Sequence, residues 1–454
     1  MPAAAARGAA GADRAGLGAG RGAAVGLAHD EPPAPAARHG LLVALWLVAG
    51  AVVVAGVAAQ VWRPVAPDVG TPPDPQDVFA AAHLARVHAY QTPKRAVGLA
   101  ALVLQVAVPL AAVGTARGRR AVDAVARRSG GDRRPALAAA AVGVAVVAAT
   151  ELVLLPLAWW SGFVHDGAYG LRTQGLAGWF ADRALALAPV LLLTGAGLAA
   201  ASWVVRRLPR LWPPVVGLGA AAVAAAVVAL SPLVIEPLRF DFTPLPDGAV
   251  RDTVTALLDR ADVEVDALLV ADASRRTTRQ NAYVSGLGGT RRVVLYDTLL
   301  AGRTPREVGA VFAHELAHDL HRDVARGTAL GAAGTVVAAA VVAAVLRRLV
   351  ARGRLRGEAD PRGAAVVVAV VVVLATLTLP LQQAVSRRAE AAADATALRL
   401  SADPDAMADL VVGLARANLT DPAPPAWVRL LWSSHPAPVE RLARAAEAGA
   451  SLPR

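Results

Sequence analysis

Long apolar runs alternate with short polar stretches along this chain. Seven runs reach the length a helix needs to cross a bilayer, roughly 20 residues. They cover about 41–62, 96–116, 135–159, 185–205, 211–233, 327–346 and 363–383. Two polar groups stand out inside them, Gln105 and Glu151. A carboxyl in a span is costly and should face other helices or a cavity. Glu151 therefore reads either as a hydrogen-bonded structural group or as a functional one. Residues 1–39, rich in Ala, Gly, Arg and Pro, show no apolar period, which predicts a disordered tail. The first apolar run has span length rather than that of a short leader core, so no signal peptide is expected.

The pattern changes character after the fifth run. Residues 234–326 are polar and mixed, and 384–454 are again water-compatible. Within the first of these segments, Val263 to Val270 reads as a strand. Asn281 to Val284 and Arg292 to Leu295 flank the glycines of SGLGGT, a hairpin signal. Thr304-Pro305-Arg306-Glu307 then opens a helix. Thr304 can cap it, Pro305 suits its first position, and Glu307 completes a capping box. A water-facing module split by two membrane helices is the organisation this predicts.

Composition narrows the function. Of 454 residues, 56% are hydrophobic and 18% charged, against about 25% charged in average soluble domains. The absence of cysteine excludes disulfides, thiolate ligands and a cysteine nucleophile. Net charge is +11, carried by arginine, with Lys94 the only lysine. The arginine clusters are not interleaved with aromatics, so a nucleic-acid partner is not expected and a lipid bilayer is.

The capped helix carries His314-Glu315-Leu316-Ala317-His318. Residues i and i+4 share a helix face, so both imidazoles can reach one metal ion. Glu315 can reach the same side and take a proton from a water on that metal. This is the zincin arrangement. A polar helix face with two solvated histidines would carry the same five residues. A third ligand must be His, Asp or Glu in a chain without cysteine. The metzincin extension is absent, since Asp319, Leu320 and His321 follow. Glu390 and Asp394, again i and i+4 on an Ala-rich helix, supply the best candidates. One can ligate metal while the other fixes a ligand histidine.

Taken together, these motifs resemble the CAAX prenyl endopeptidase type I family of integral-membrane zinc metalloproteases, over most of the chain. The motifs carrying the resemblance are His314–His318, Ser386-Arg387-Arg388-Ala389-Glu390 through Asp394, and Asn281-Ala282-Tyr283 through Asp297-Thr298-Leu299. His435-Pro436 followed by Glu440-Arg441 adds to them, as do Tyr169-Gly170-Leu171 and the stretch VIEPLRFDFTPLPDG. The resemblance implies one zinc ion per chain, with His314, His318 and Glu390 as ligands and Glu315 as general base. It implies that Asp394 orients a ligand histidine and that Asn281, Ala282 and Tyr283 hold the substrate as an added strand. His435 and Arg441 would sit near the developing oxyanion or anchor the C-terminal region, and His321 would support the site without ligating.

The expected fold is mainly α, a polytopic bundle of about seven spans enclosing a cavity, with a small α+β zincin-like catalytic module. Its expected parts are a tail at 1–39, spans one to five at 40–233, and a catalytic segment at 234–326. Spans six and seven follow at 327–383, and a segment completing the zinc site at 384–454. The expected function is a zinc endopeptidase acting on peptide or protein substrates. In a bacterium, suggested by the Ala- and Arg-rich composition, membrane or exported protein processing or quality control fits better than prenyl processing. An inactive membrane scaffold is the alternative. A transporter would need more paired charges within the spans. The tail and the second, fourth and sixth loops hold twenty basic residues, against six in the first and third loops. The positive-inside rule then puts the catalytic module outside the cell membrane. The family resemblance puts it in the cytoplasm.

Overall fold

Backbone polar groups in hydrocarbon must be satisfied within the chain, so the apolar runs have little choice but to be helical. The computed structural model describes residues 50, 55–56, 59, 70–265, 267–286 and 291–451. All described residues fall in one unit, Trp46–Arg454. The expected tail and almost all of the first expected span lie outside the described residues.

Among the described residues, six helices are long and apolar enough to span a membrane. They are α1 (Ala81–Gly114), α3 (Pro135–Trp159, prolonged by a π-helical turn at Trp160–His165), α4 (Leu176–Arg207), α5 (Trp212–Val234), α8 (Asp323–Ala351) and α9 (Gly363–Ser401). A short helix, α2 (Ala116–Arg128), follows α1. Helix α3 packs along α4, and α5 along α8. Small residues allow the second approach: a Cβ on Gly217 would lie 3.2 Å from Val336 Cα. Glu151 on α3 pairs with Arg183 on α4 at 2.5 Å. The structural reading of that carboxyl therefore has a partner, and its charge is not left bare in the bundle. His83 and His88 lie on α1 and His165 on the π-helical turn.

The water-facing module holds a four-stranded sheet in the order β1-β2-β4-β3. The strands are β1 (Phe242–Pro244), β2 (Ala267–Ala271), β3 (Ala282–Ser285) and β4 (Arg292–Tyr296), with α6 (Ala249–Ala261) between β1 and β2. Strands β2 and β4 are parallel, while β3 runs antiparallel to β4 with Ala282 opposite Leu295. The hairpin expectation matches these strands. Strand β2 is shorter than expected because Asp262 takes a left-handed conformation (φ 52°) and ends α6. The Val263 N–H then bonds back to Leu258 O at 3.2 Å, so Val263 belongs to the helix cap.

Helix α7 (Pro305–Leu320) is the centre of this module. Thr304 and Glu307 form the expected capping box. Val308 through His314, with Leu316 and Ala317, are buried. They pack against Leu257 of α6, Val293 and Leu295 of β4, Ala397 of α9 and Leu410 of α10 (Pro404–Asn418). A helix wrapped on most sides is a rigid platform for its few polar residues. Helix α9 differs from expectation in one respect. It continues without a break from the apolar run through Ser386–Asp394, so one 39-residue helix joins the bundle to the site.

Candidate active site

Three elements meet at the mouth of the bundle. Helix α7 brings His314, Glu315 and His318, α9 brings Glu390 and Asp394, and the loop between a short helix at Ala426–Leu431 and α11 (Pro438–Ser451) brings His435. His314 Nε2 lies 3.1 Å from Glu390 Oε2 and 3.2 Å from His318 Nε2. His318 Nε2 lies 3.5 Å from the same Glu390 oxygen, and His435 Nε2 3.1 Å from it. The His314, Glu390 and His435 atoms also form a group able to hold a metal ion.

The far nitrogens of the two α7 rings decide what the near ones can do. His314 Nδ1 is 2.9 Å from Asp394 Oδ1, and His318 Nδ1 is 2.9 Å from Asp323 Oδ2. Ionised carboxylates only accept, so each Nδ1 carries the proton. Two Nε2 lone pairs and a carboxylate oxygen then converge within 3.5 Å. Such a cluster repels itself unless a cation sits within it. The donors fit a metal ion of the class that imidazole and carboxylate ligands take.

The same carboxylates hold protons on the rings when no metal is present. Burial pulls the His314 pKa down, but Asp394 and Glu390 outweigh it and push it up to about 9. For His318, burial is likewise outweighed by Asp323 and Glu390, to about 10. Metal needs neutral Nε2 atoms. Loading the metal-free protein at pH 7 is therefore expected to expel about two protons, and metal affinity should rise with pH up to about 10. Calorimetry in buffers of different ionisation enthalpy measures this. Metal uptake without proton release would contradict the ring assignments.

Asp394 is buried, 2% exposed. Arg441 Nη2 donates to its Oδ1 at 2.7 Å, Arg441 Nε to Oδ2 at 3.0 Å, and Arg444 Nη1 to Oδ2 at 3.4 Å. Of the two expected roles of Arg441, beside the oxyanion or as an anchor, these contacts fit the anchor. Its guanidinium is turned onto Asp394 and ties α11 to α9, which is the anchoring alternative. His435 does face the site. Arg387 holds its loop, donating to Arg429 O at 2.5 Å and Ser433 O at 2.9 Å. His321 caps the end of α7, with Nε2 3.1 Å from Thr396 Oγ1 on α9.

Burial holds the Glu315 pKa above the usual carboxylate value, against the opposing pull of His314 and His318. Its Oε2 accepts the Val284 N–H at 3.3 Å. That bond shows how β3 is presented. Asn281 O accepts from Tyr296 N, so the 281–296 pair is hydrogen-bonded and Ala282 and Val284 point their amides outward. Strand β3 is the sheet edge, and Asn281 through Val284 line a cavity of about 1340 Å³ that continues between α8 and α9. Tyr283 donates its hydroxyl to Glu236 at 3.1 Å, and Arg292 pairs with that carboxylate at 2.9 Å.

Asp323 and Arg387 are the positioning residues that sequence reasoning missed. Asp323 reaches His318 because Arg322 adopts a left-handed conformation (φ 54°) and turns the chain sharply from α7 into α8. The only sequence signal for it was an acid five residues after His318.

A model of peptidase family M48 matches residues 244–448, and a model described as CAAX prenyl protease N-terminal, five membrane helices, matches residues 66–240. The metalloprotease YhfN of Bacillus subtilis is 26% identical over 303 residues, 65% of this chain and 70% of that protein. CAAX prenyl protease 1 of Saccharomyces cerevisiae is 32% identical over 170 residues, 37% of each chain. The crystal structure of S. mikatae Ste24p superposes with a TM-score of 0.70 at 20% identity, covering 92% of this chain and all of that one.

Proposed function

The chain belongs to the CAAX prenyl protease family of membrane metalloproteases, and we propose that it hydrolyses peptide bonds with a single zinc ion held by His314, His318 and Glu390. The observation that carries this reading is the convergence of those three donors beside the half-buried Glu315, which is hydrogen-bonded to the edge strand β3. When bound, zinc supplies Lewis acidity, lowering the pKa of water and polarising a carbonyl oxygen. Asp394 and Asp323 keep the His314 and His318 rings in the ligating tautomer. Glu315 takes a proton from the attacking water and later gives it to the leaving amine. His435 stands beside Glu390 with half of its side chain exposed, where it can donate to a developing oxyanion.

Substrate would add to the sheet as a strand along β3, using the outward N–H of Ala282, while the Val284 N–H is held by Glu315. Proline is tolerated on an edge whose N–H faces out. Ala282→Pro is therefore expected to leave the sheet intact and raise KM about fivefold, the loss of roughly one hydrogen bond. Unchanged steady-state kinetics would remove strand addition from the account.

We propose processing or quality control of unprenylated membrane or exported proteins in a bacterium. The Ala- and Arg-rich composition and the similarity to the Bacillus protein support this. The test is mass spectrometry of products from two peptides of one sequence, with and without a prenyl group. Cleavage of both is expected. Cleavage of the prenylated peptide alone would overturn the substrate reading, and cleavage of neither the protease reading.

The basic loops support a site facing outside the cell membrane. The chain has no cysteine, so Ala423→Cys, at an exposed position of the segment between α10 and α11, is a clean reporter. A membrane-impermeant thiol reagent should label it in intact cells, and labelling only after lysis would reverse the orientation.

A further inference from the structure

A second cavity of about 840 Å³ opens between α1, α8 and α9, at the ends of α8 and α9 away from the catalytic residues. On α9, Ala369 in the wall of this cavity and Glu390 in the site are separated by about 32 Å at the helical rise per residue, and Val341 and Leu374 line both cavities. The depth of the cavity is apolar, with Leu110 of α1, Val345 of α8, and Ala369 and Val373 of α9 in its walls. Its mouth is basic. Arg119, Arg354 and Arg362 line it, with Asp123 as the acid among the lining residues.

These charges are not all alike. Arg362 is engaged by Asp360 at 2.5 Å and stands 3.7 Å from Asp123. Arg119 gives one nitrogen to Gly114 O at 2.7 Å, at the end of α1. Arg354 is exposed, and its side chain has no hydrogen-bond or ion-pair partner among the described residues. Two guanidinium groups thus remain available for an anion at the mouth of an apolar pocket. A soluble anion would leave the apolar depth to water. A zwitterionic lipid would bring its own cation against the arginines. An anionic amphiphile satisfies both parts, and basic pockets between membrane helices are the sequence-readable form of anionic-lipid recognition.

The geometry points to a binding site for an anionic phospholipid, its phosphate held by Arg119 and Arg354 and an acyl chain lying between α1, α8 and α9. Guanidinium suits this task because its planar fork meets two phosphate oxygens at once. Its arginines line none of the catalytic cavity, and the proposal does not depend on the protease reading.

The full chain in detergent, titrated with phosphatidylglycerol or phosphatidylcholine and read by native mass spectrometry, tests it. Phosphatidylglycerol should bind more tightly than phosphatidylcholine. Arg354→Gln should weaken phosphatidylglycerol binding about fivefold, and Arg119→Gln with Arg354→Gln about twenty-five-fold. Arg127→Gln, an exposed arginine of α2 that does not line the cavity, should leave binding unchanged. Ala369→Phe, which fills the depth, should weaken it without touching a charge. The Arg354 side chain has no hydrogen-bond or ion-pair partner among the described residues, so its variant is expected to fold as wild type. Equal binding of the two lipids, or phosphatidylglycerol binding that neither Arg354→Gln nor the double variant weakens, overturns the proposal.

Discussion

Glu315→Gln is expected to lower peptide cleavage by about 10²- to 10⁴-fold and to leave the metal bound. The substitution keeps the shape of the side chain and an oxygen that can accept the Val284 N–H. What it removes is the basic carboxylate. The convergent donors of the site are His314, His318 and Glu390, with His435 beside them, so the metal set is untouched. Cleavage rate and metal content on one preparation separate the two effects. Metal lost together with activity would make Glu315 a structural part of the site. Activity retained would remove it from the chemistry.

Asp394→Ala is expected to act differently, costing about 3–5 kcal/mol of stability as well as metal affinity. Its carboxylate is shared by Arg441, Arg444 and His314 Nδ1. Removing it leaves two buried guanidinium groups without their counter-charge, and leaves the His314 tautomer unfixed. Loss of such an outer partner lowers metal affinity about 10- to 100-fold. Thermal unfolding in detergent and zinc retention on dilution measure the two losses. A variant as stable as wild type would mean that the arginines find other partners. The Arg441 interaction is then a consequence of the fold and not a support of the site.

Local signals made part of this molecule readable from its sequence. Apolar run length fixes the spans, because lipid leaves the backbone no alternative to helix. Thr304, Pro305 and Glu307 mark the start of α7 by short-range chemistry. The i, i+4 spacing of His314 and His318 places both rings on one face whatever the tertiary fold. What stayed hidden depends on contacts between distant segments or on one unusual backbone angle. Asp323 reaches His318 only because Arg322 is left-handed. Arg441 could be read as facing the oxyanion or as an anchor, and only the packing of α11 against α9 turns it onto Asp394. The role of Arg387 likewise needs the C-terminal loop folded over α9. The boundary near 383 followed a change of polarity, but helix α9 crosses it, since an Ala-rich segment has no reason to stop.

The most direct test of the central claim is a zinc titration into metal-free wild-type protein, with cleavage read on the same samples. Activity should be absent at the start, rise in proportion to bound zinc and level at about one ion per chain. Cleavage by the metal-free protein, or zinc bound at that stoichiometry with no cleavage of any peptide, would contradict the account.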